Sequence, residues 1–83
     1  MKKSIYTPGQ QKVACAVREM RNGAKLTQRQ LAARLKRPLN VVSRIEAGQR
    51  RVDMSEWIAL CKACRVDPVK AGGELLGALM RGT

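Results

Sequence analysis

Histidine and phenylalanine are both absent from this chain, and only Tyr6 and Trp57 are aromatic. Without histidine there is no side chain whose ordinary titration falls near neutral pH. A four-ligand zinc site would need a carboxylate or a second chain. With so few aromatics the core must be assembled from Leu, Ile, Val, Met, Ala and Cys. No apolar run reaches the roughly 18 residues of a membrane-spanning helix. The basic amino terminus, MKKSIYTPGQQK, has no apolar stretch behind it, so a secretory signal is not expected and cytoplasm is the expected location. Three cysteines, an odd number, suit a reducing compartment better than a disulfide framework.

Acids are scarce as well: 6 against 17 lysines and arginines, for a net charge of +11 over 83 residues. That length supports one domain with a modest core. The charge is unevenly placed. Residues 1–52 hold 13 of the basic side chains and 2 of the acids, while residues 53–83 hold 4 of each. A basic first portion and a neutral last third suggest two jobs. The first suits a polyanion, with nucleic acid ahead of plain solubility charge. Recognition of unpaired RNA is disfavoured, because two aromatics offer little to stack bases on.

The chain is organised around residues 26–48, LTQRQLAARLKRPLNVVSRIEAG. Thr27 and Gln30 have the spacing of a capping box, which predicts a helix from about Thr27 to Leu35. Leu31, Ala32 and Leu35 give it an apolar face, with Ala32 a position of close helix approach. Lys36, Arg37 and Pro38 interrupt the pattern. A second helix is expected from Leu39 to Ala47, with Val42 and Ile45 inward and Gly48 as its stop. Two short helices joined by a tight turn make a helix-turn-helix, here about 27–47.

Support helices are expected on both sides. Thr7, Pro8 and Gln10 open one that buries Val13, Ala16, Val17 and Met20 and stops at Asn22 and Gly23. Asp53 and Glu56 form another capping box, before a helix whose inward face is Trp57, Ile58, Leu60, Cys61 and Cys64. Asp67 and Pro68 start a last helix, in which Gly72 and Gly73 predict a kink or break. Residues 1–6 read as a flexible basic arm and 7–83 as one all-α, five-helix domain. Cys61 and Cys64 form a C-x-x-C pair, but they share a helical face with Trp57 and Leu60. Small core hydrophobes are the leading reading, and metal or redox chemistry the alternative.

The run of Leu26, Thr27, Gln28, Leu31, Ala32, Leu35, Ser43, Ile45, Glu46, Gly48 and Arg50 resembles the phage Cro and repressor, or Xre-type, helix-turn-helix family. The resemblance implies a lambda-repressor-like fold and an ion pair between Arg21 and Glu46 that ties the first helix to the end of the recognition helix. It also implies a DNA backbone contact at Gln28, with an ordinary exposed helix-start residue as the alternative. The first, second and sixth residues of the recognition helix, Leu39, Asn40 and Arg44, are the implied base readers. Their chemistry fits: Asn pairs with adenine, Arg with guanine, and Leu can meet a thymine methyl. Lys36, Arg37, Ser43, Arg50 and Arg51 are candidate backbone contacts. The family usually has Gly where Lys36 stands and a small polar cap at Pro38. Either Lys36 adopts the left-handed conformation, or the turn has another shape.

Leu75, Leu76, Leu79 and Met80 are more apolar surface than a terminal helix normally shows. They either fold back on the core or form a dimer interface within 67–81. The expected function is a sequence-specific DNA-binding transcriptional regulator: a small dimeric repressor of phage, prophage or plasmid type on a palindromic operator. The alternative is an antitoxin-type module that binds a toxin partner and represses its own promoter. No cofactor, metal or membrane partner is expected. Catalysis is not expected either, since no histidine exists, the cysteines sit on a core face, and the few acids are mostly placed to cap helices or pair with arginine.

Overall fold

Four of the five helices begin where a side chain can serve their free N–H groups. The structure, a computed structural model, describes residues 7–82; the arm expected over 1–6 lies outside the described residues. α1 spans Pro8–Gly23, α2 Gln28–Leu35, α3 Leu39–Glu46, α4 Met54–Ala63 and α5 Pro68–Gly82, with no strand among the described residues. Thr7 accepts from Gln10 N at 3.1 Å, with Pro8 at the first helical position. Thr27 and Gln30 close a reciprocal capping box on α2, and Asp53 and Glu56 close one on α4. Asp67 Oδ1 accepts from Val69 N at 3.0 Å as α5 starts. α3 is the exception: Pro38 occupies its cap position and offers no side-chain acceptor.

The helix ends share one device. At the end of α2, Lys36 N donates to Ala33 O at 3.1 Å and Arg37 N to Ala32 O at 3.0 Å, with Lys36 left-handed at φ 58° and ψ 44°. This is the Schellman pattern, which satisfies two orphan carbonyls by reversing the chain at one residue. The same pair of bonds closes α1 at Lys25 (φ 61°), α3 at Gly48 (φ 77°) and α4 at Arg65 (φ 60°). At three of these four ends the left-handed residue is a cation instead of glycine. Each accepts about 1 kcal/mol of backbone strain. In return, positive charge sits at the negative pole of a helix, worth about 0.3–1 kcal/mol. α1 ends at Gly23, as expected, and the left-handed reversal falls two residues later at Lys25.

Val17, Leu31, Ala32, Val42, Ile45, Leu60 and Cys64 form the core cluster, and Cys61 is fully buried beside it. α1 packs on α3 and α5, α2 on α3 and α4, and α4 on α5. Three details depart from the periodicity reading. On α1, Ala14 is buried while Val13 and Ala16 are only half-buried. Ile58, expected inward on α4, is 40% exposed. α5 runs unbroken through Gly72 and Gly73. A Cβ at Gly72 would stand 3.2 Å from Trp57 Nε1, and that indole donates to Pro68 O at 3.3 Å. Gly72 lets α5 lie against Trp57, and this packing holds straight what local propensity alone would bend.

The apolar residues of α5 divide by face. Leu75 and Leu79 are half-buried, Leu79 reaching Gly9 on α1, whereas Leu76 and Met80 are exposed. Fold-back therefore holds for Leu75 and Leu79, while Leu76 and Met80 are displayed outward.

Lys36→Gly relieves about 1 kcal/mol of left-handed strain and gives up the about 0.3–1 kcal/mol that the cation contributes at the helix pole. It should raise the unfolding free energy by no more than about 0.7 kcal/mol, read as a higher urea midpoint at unchanged slope.

Candidate nucleic-acid interface

The end of α3 is tied down by one buried carboxylate. Glu46 is 4% exposed, yet every oxygen of its side chain is used. Oε2 accepts from Arg21 Nε at 2.6 Å; Oε1 accepts from Arg21 Nη2 and Gln28 Nε2, both at 2.9 Å. Arg21 also donates to Leu26 O at 2.9 Å, in the loop between α1 and α2. Arg18, one turn earlier on α1, donates to the Glu46 main-chain carbonyl. Its charge meets the carbonyl pole of α3, where the helix dipole favours a cation. The hydrogen bond from Glu46 is the main cause that raises the Arg21 pKa, against burial, which lowers it. Three helices thus converge on one ion pair, and the orientation of α3 follows from it.

With Val42, Ile45 and Glu46 buried, the opposite face of α3 is presented outward. Leu39 (36% exposed), Asn40 and Arg44 lie there, all exposed. Lys36 and Arg37 are exposed in the turn just before α3, and Arg51 is exposed in the loop after it. The left-handed reversal at Lys36 aims the chain into α3, so the same residue shapes the turn and charges its surroundings.

Three other candidate contacts are engaged within the chain. Gln28 is half-buried and spends its amide N–H on Glu46, so it positions α3 from the start of α2. Arg50 makes a forked pair with Glu56, Nη1 to Oε1 at 2.9 Å and Nη2 to Oε2 at 2.6 Å, and Nη1 also reaches Arg51 O at 3.4 Å. Ser43 donates to the Asn40 carbonyl at 3.2 Å, a bond within its own helix. Two structural arginines escaped the sequence reading. Arg18 carries a usable signal, since it lies three positions before Arg21 on the same helix face. Arg34 joins α2 to the last turn of α4 by donating to Ala63 O at 2.7 Å, and no local spacing announces it.

The two thiols of the C-x-x-C pair belong to the core. Cys61 is fully buried, donates to Met20 Sδ at 3.6 Å, and burial pushes its pKa up to about 11. Burial raises Cys64 as well. Both shifts run against the thiolate that metal binding or redox exchange requires. Among the described residues, no three His, Cys, Asp or Glu side chains gather as a metal site. No described helix is long and apolar enough to cross a membrane.

A family model described as a helix-turn-helix domain matches residues 13–71. No curated protein matches the sequence. Among solved structures, the chain is similar to an XRE-family-like protein from Pseudomonas syringae pv. tomato str. DC3000. The two share 34% identity and a TM-score of 0.79, over 92% of this chain and 93% of that one. It is also similar to the restriction-modification controller protein C.AhdI from Aeromonas hydrophila, at 27% identity and TM-score 0.68, over 75% of this chain and 94% of that one. A second restriction-modification controller, solved as a tetramer in complex with its natural 35 base-pair operator, shares the fold. Its identity is 20% and its TM-score 0.77, over 89% of this chain and 97% of that one.

Two outcomes follow from the ion pairs. Glu46→Ala strands the Arg21 guanidinium, whose side chain is 15% exposed; the loss should be on the order of 3–5 kcal/mol, measured by urea unfolding. The second concerns acid. The hydrogen bond from Arg50, aided by Asp53 N–H, holds the Glu56 carboxyl below its usual pKa although burial pushes it up. The unfolded chain then binds that proton more readily than the folded one. The contribution is complete above the ordinary carboxyl value of about 4.3 and is lost as pH falls through the depressed folded value. Glu56→Gln should therefore flatten the acid limb of a stability–pH curve measured between about pH 5 and pH 3.

Proposed function

The chain belongs to the Xre-type helix-turn-helix family, and on that premise we propose that it is a sequence-specific transcriptional regulator reading duplex DNA through α3. The observation that carries this is the division of α3 into two faces. One is buried and clamped by Arg18, Arg21 and Gln28, and the other presents Leu39, Asn40 and Arg44 between cations. Asn40 pairs with adenine, Arg44 with guanine, and Leu39 meets a thymine methyl. Lys36, Arg37 and Arg51 hold phosphates and set register without specifying sequence. Ser43 and Arg50 approach the backbone only if they give up the bonds they make within the chain. Gln28 is assigned to positioning.

The mechanism is steric: a small homodimer covers a palindromic operator that overlaps a promoter, in the manner of phage, prophage or plasmid repressors. A controller of the same fold in complex with its operator supports this use of the architecture. The domain acts by binding and not by catalysis, needs no cofactor, and works in the cytoplasm, where its DNA is. The exposed apolar residues of α4 and α5 favour one second reading, an antitoxin-type module whose last third binds a protein partner while α3 represses the module's own promoter.

Titration across salt, with the DNA upstream of the protein's own gene against random duplex of equal length, tests the proposal. Upstream DNA should bind more tightly, and Asn40→Ala and Arg44→Ala should each remove about 1–3 kcal/mol of that preference. Arg51→Ala should weaken both duplexes alike and lower the salt slope by about one. Equal, steeply salt-dependent binding of both duplexes by the wild type would mean the charge is only a polyanion grip.

A further inference from the structure

The capping boxes of α2 and α4 close with different side chains. On α2 the closing residue is Gln30, whose neutral amide accepts from Thr27 N at 2.9 Å. On α4 it is Glu56, which accepts from Asp53 N at 3.3 Å. Either residue type closes such a box, so capping alone does not call for a carboxylate. The carboxylate also stands among the cations proposed to face DNA: it is forked to Arg50, which precedes Arg51, and it lies in the field of Arg37. By charge alone it opposes a phosphate.

The loop that Glu56 holds has little else to shape it. α4 packs on α2 and α5, and a cleft of about 170 Å³ lies between its first turn and Val41 and Ile45 of α3. The reversal after α3 ends with Gln49 N donating to Arg44 O at 2.9 Å, and Val52 is the next residue packed against the core. Between them, among the described residues, Arg50 and Arg51 make no hydrogen bond from main chain to main chain. Glu56 supplies what is missing. Its two oxygens accept from Arg50 at 2.9 and 2.6 Å, Arg50 Nη1 reaches on to Arg51 O at 3.4 Å, and Asp53 N closes the far side. A forked pair of guanidinium and carboxylate fixes geometry as well as adding strength. The Arg51 side chain itself is exposed, with no partner among the described residues.

Resting on the DNA-binding reading above, we infer that Glu56 is a positioning residue for the phosphate contact of Arg51: an acid that aids DNA binding by holding Arg50, and with it the loop after α3, in one shape. Arg50 is then a strut and not a phosphate ligand, and it stays on Glu56 when DNA is bound. A loop without that strut would have to be ordered at the moment of binding, which weakens the contact it carries. Gln30 has no such duty on α2, where a neutral side chain suffices.

Two substitutions in the full chain separate position from charge. Glu56→Asp keeps the charge but draws the carboxylate back by one methylene, and Glu56→Gln keeps the length but removes the charge. Each is titrated with random duplex across salt, alone and combined with Arg51→Ala, with helix content followed by circular dichroism. At unchanged helix content both should bind about three- to tenfold more weakly than wild type, with the salt slope lowered by up to about one, the value of a single phosphate contact. Adding Arg51→Ala should then cost far less than it costs the wild type, because the two changes remove the same contact. Charge alone predicts the reverse for Glu56→Gln: loss of an acid and release of Arg50 would tighten binding and steepen the slope. Tighter binding by Glu56→Gln, or wild-type binding by Glu56→Asp, overturns the inference while DNA binding stands. So does a full, additive loss from Arg51→Ala in either background. Loss of helix content in both variants would make Glu56 a residue of the fold alone, and overturns it too. A wild type that binds no duplex overturns the DNA-binding reading as well.

Discussion

Everything functional in this domain depends on the bond between Arg21 and Glu46. An eight-residue helix such as α3 has too few turns to be stable by itself. It is held by burying Val42 and Ile45 on one side and by anchoring its last residue through a carboxylate that takes hydrogen bonds from α1 and α2. Burying that carboxylate is tolerable only because every lone-pair direction it needs is answered. Hydrophobic contact alone would let a short helix roll about its axis. A forked guanidinium pair with Gln28 beside it does not, because its bonds have direction. The rotation of α3 decides which residues face outward, so the ion pair decides what the domain presents.

A second economy runs through the cations. Lys25, Lys36 and Arg65 each reverse the chain at a helix end where glycine would be the easy choice, and Arg18 and Arg34 cap helix carbonyls from neighbouring helices. Positive charge thereby serves the fold at the carbonyl poles of the helices and adds to the field that a polyanion meets. The acids are deployed the other way. Glu46 and Glu56 are each bound to an arginine, and Asp53 and Asp67 are spent on helix starts. Four of the six acids are thus committed within the fold.

The sequence shows most of this architecture because its signals are local. Capping boxes at Thr27 and Asp53 mark helix starts, and the stripes through Leu31 and Ile45 mark which faces are inside. What it hides is set by tertiary packing. The left-handed residues Lys25 and Arg65 carry no local mark, since their geometry follows from two backbone bonds and not from side-chain type. The straightness of α5 depends on Trp57, which lies on another helix. The side chains of Arg18 and Gln28 reach partners far along the chain, so their roles appear only once α1, α2 and α3 are assembled. For α5, periodicity could list four apolar residues but could not divide them between core and surface.

The most direct test of this account is a double-mutant cycle on Arg21→Met and Glu46→Leu, read both by urea unfolding and by the preference for operator over random duplex. If the pair sets the rotation of α3, the two changes should be coupled by about 0.5–3 kcal/mol in stability. Operator preference should fall in every variant, including a double variant that regains stability, because apolar contact replaces the bond but not its direction. A stable double variant that keeps the full wild-type preference would show that packing alone orients α3, and would contradict the account.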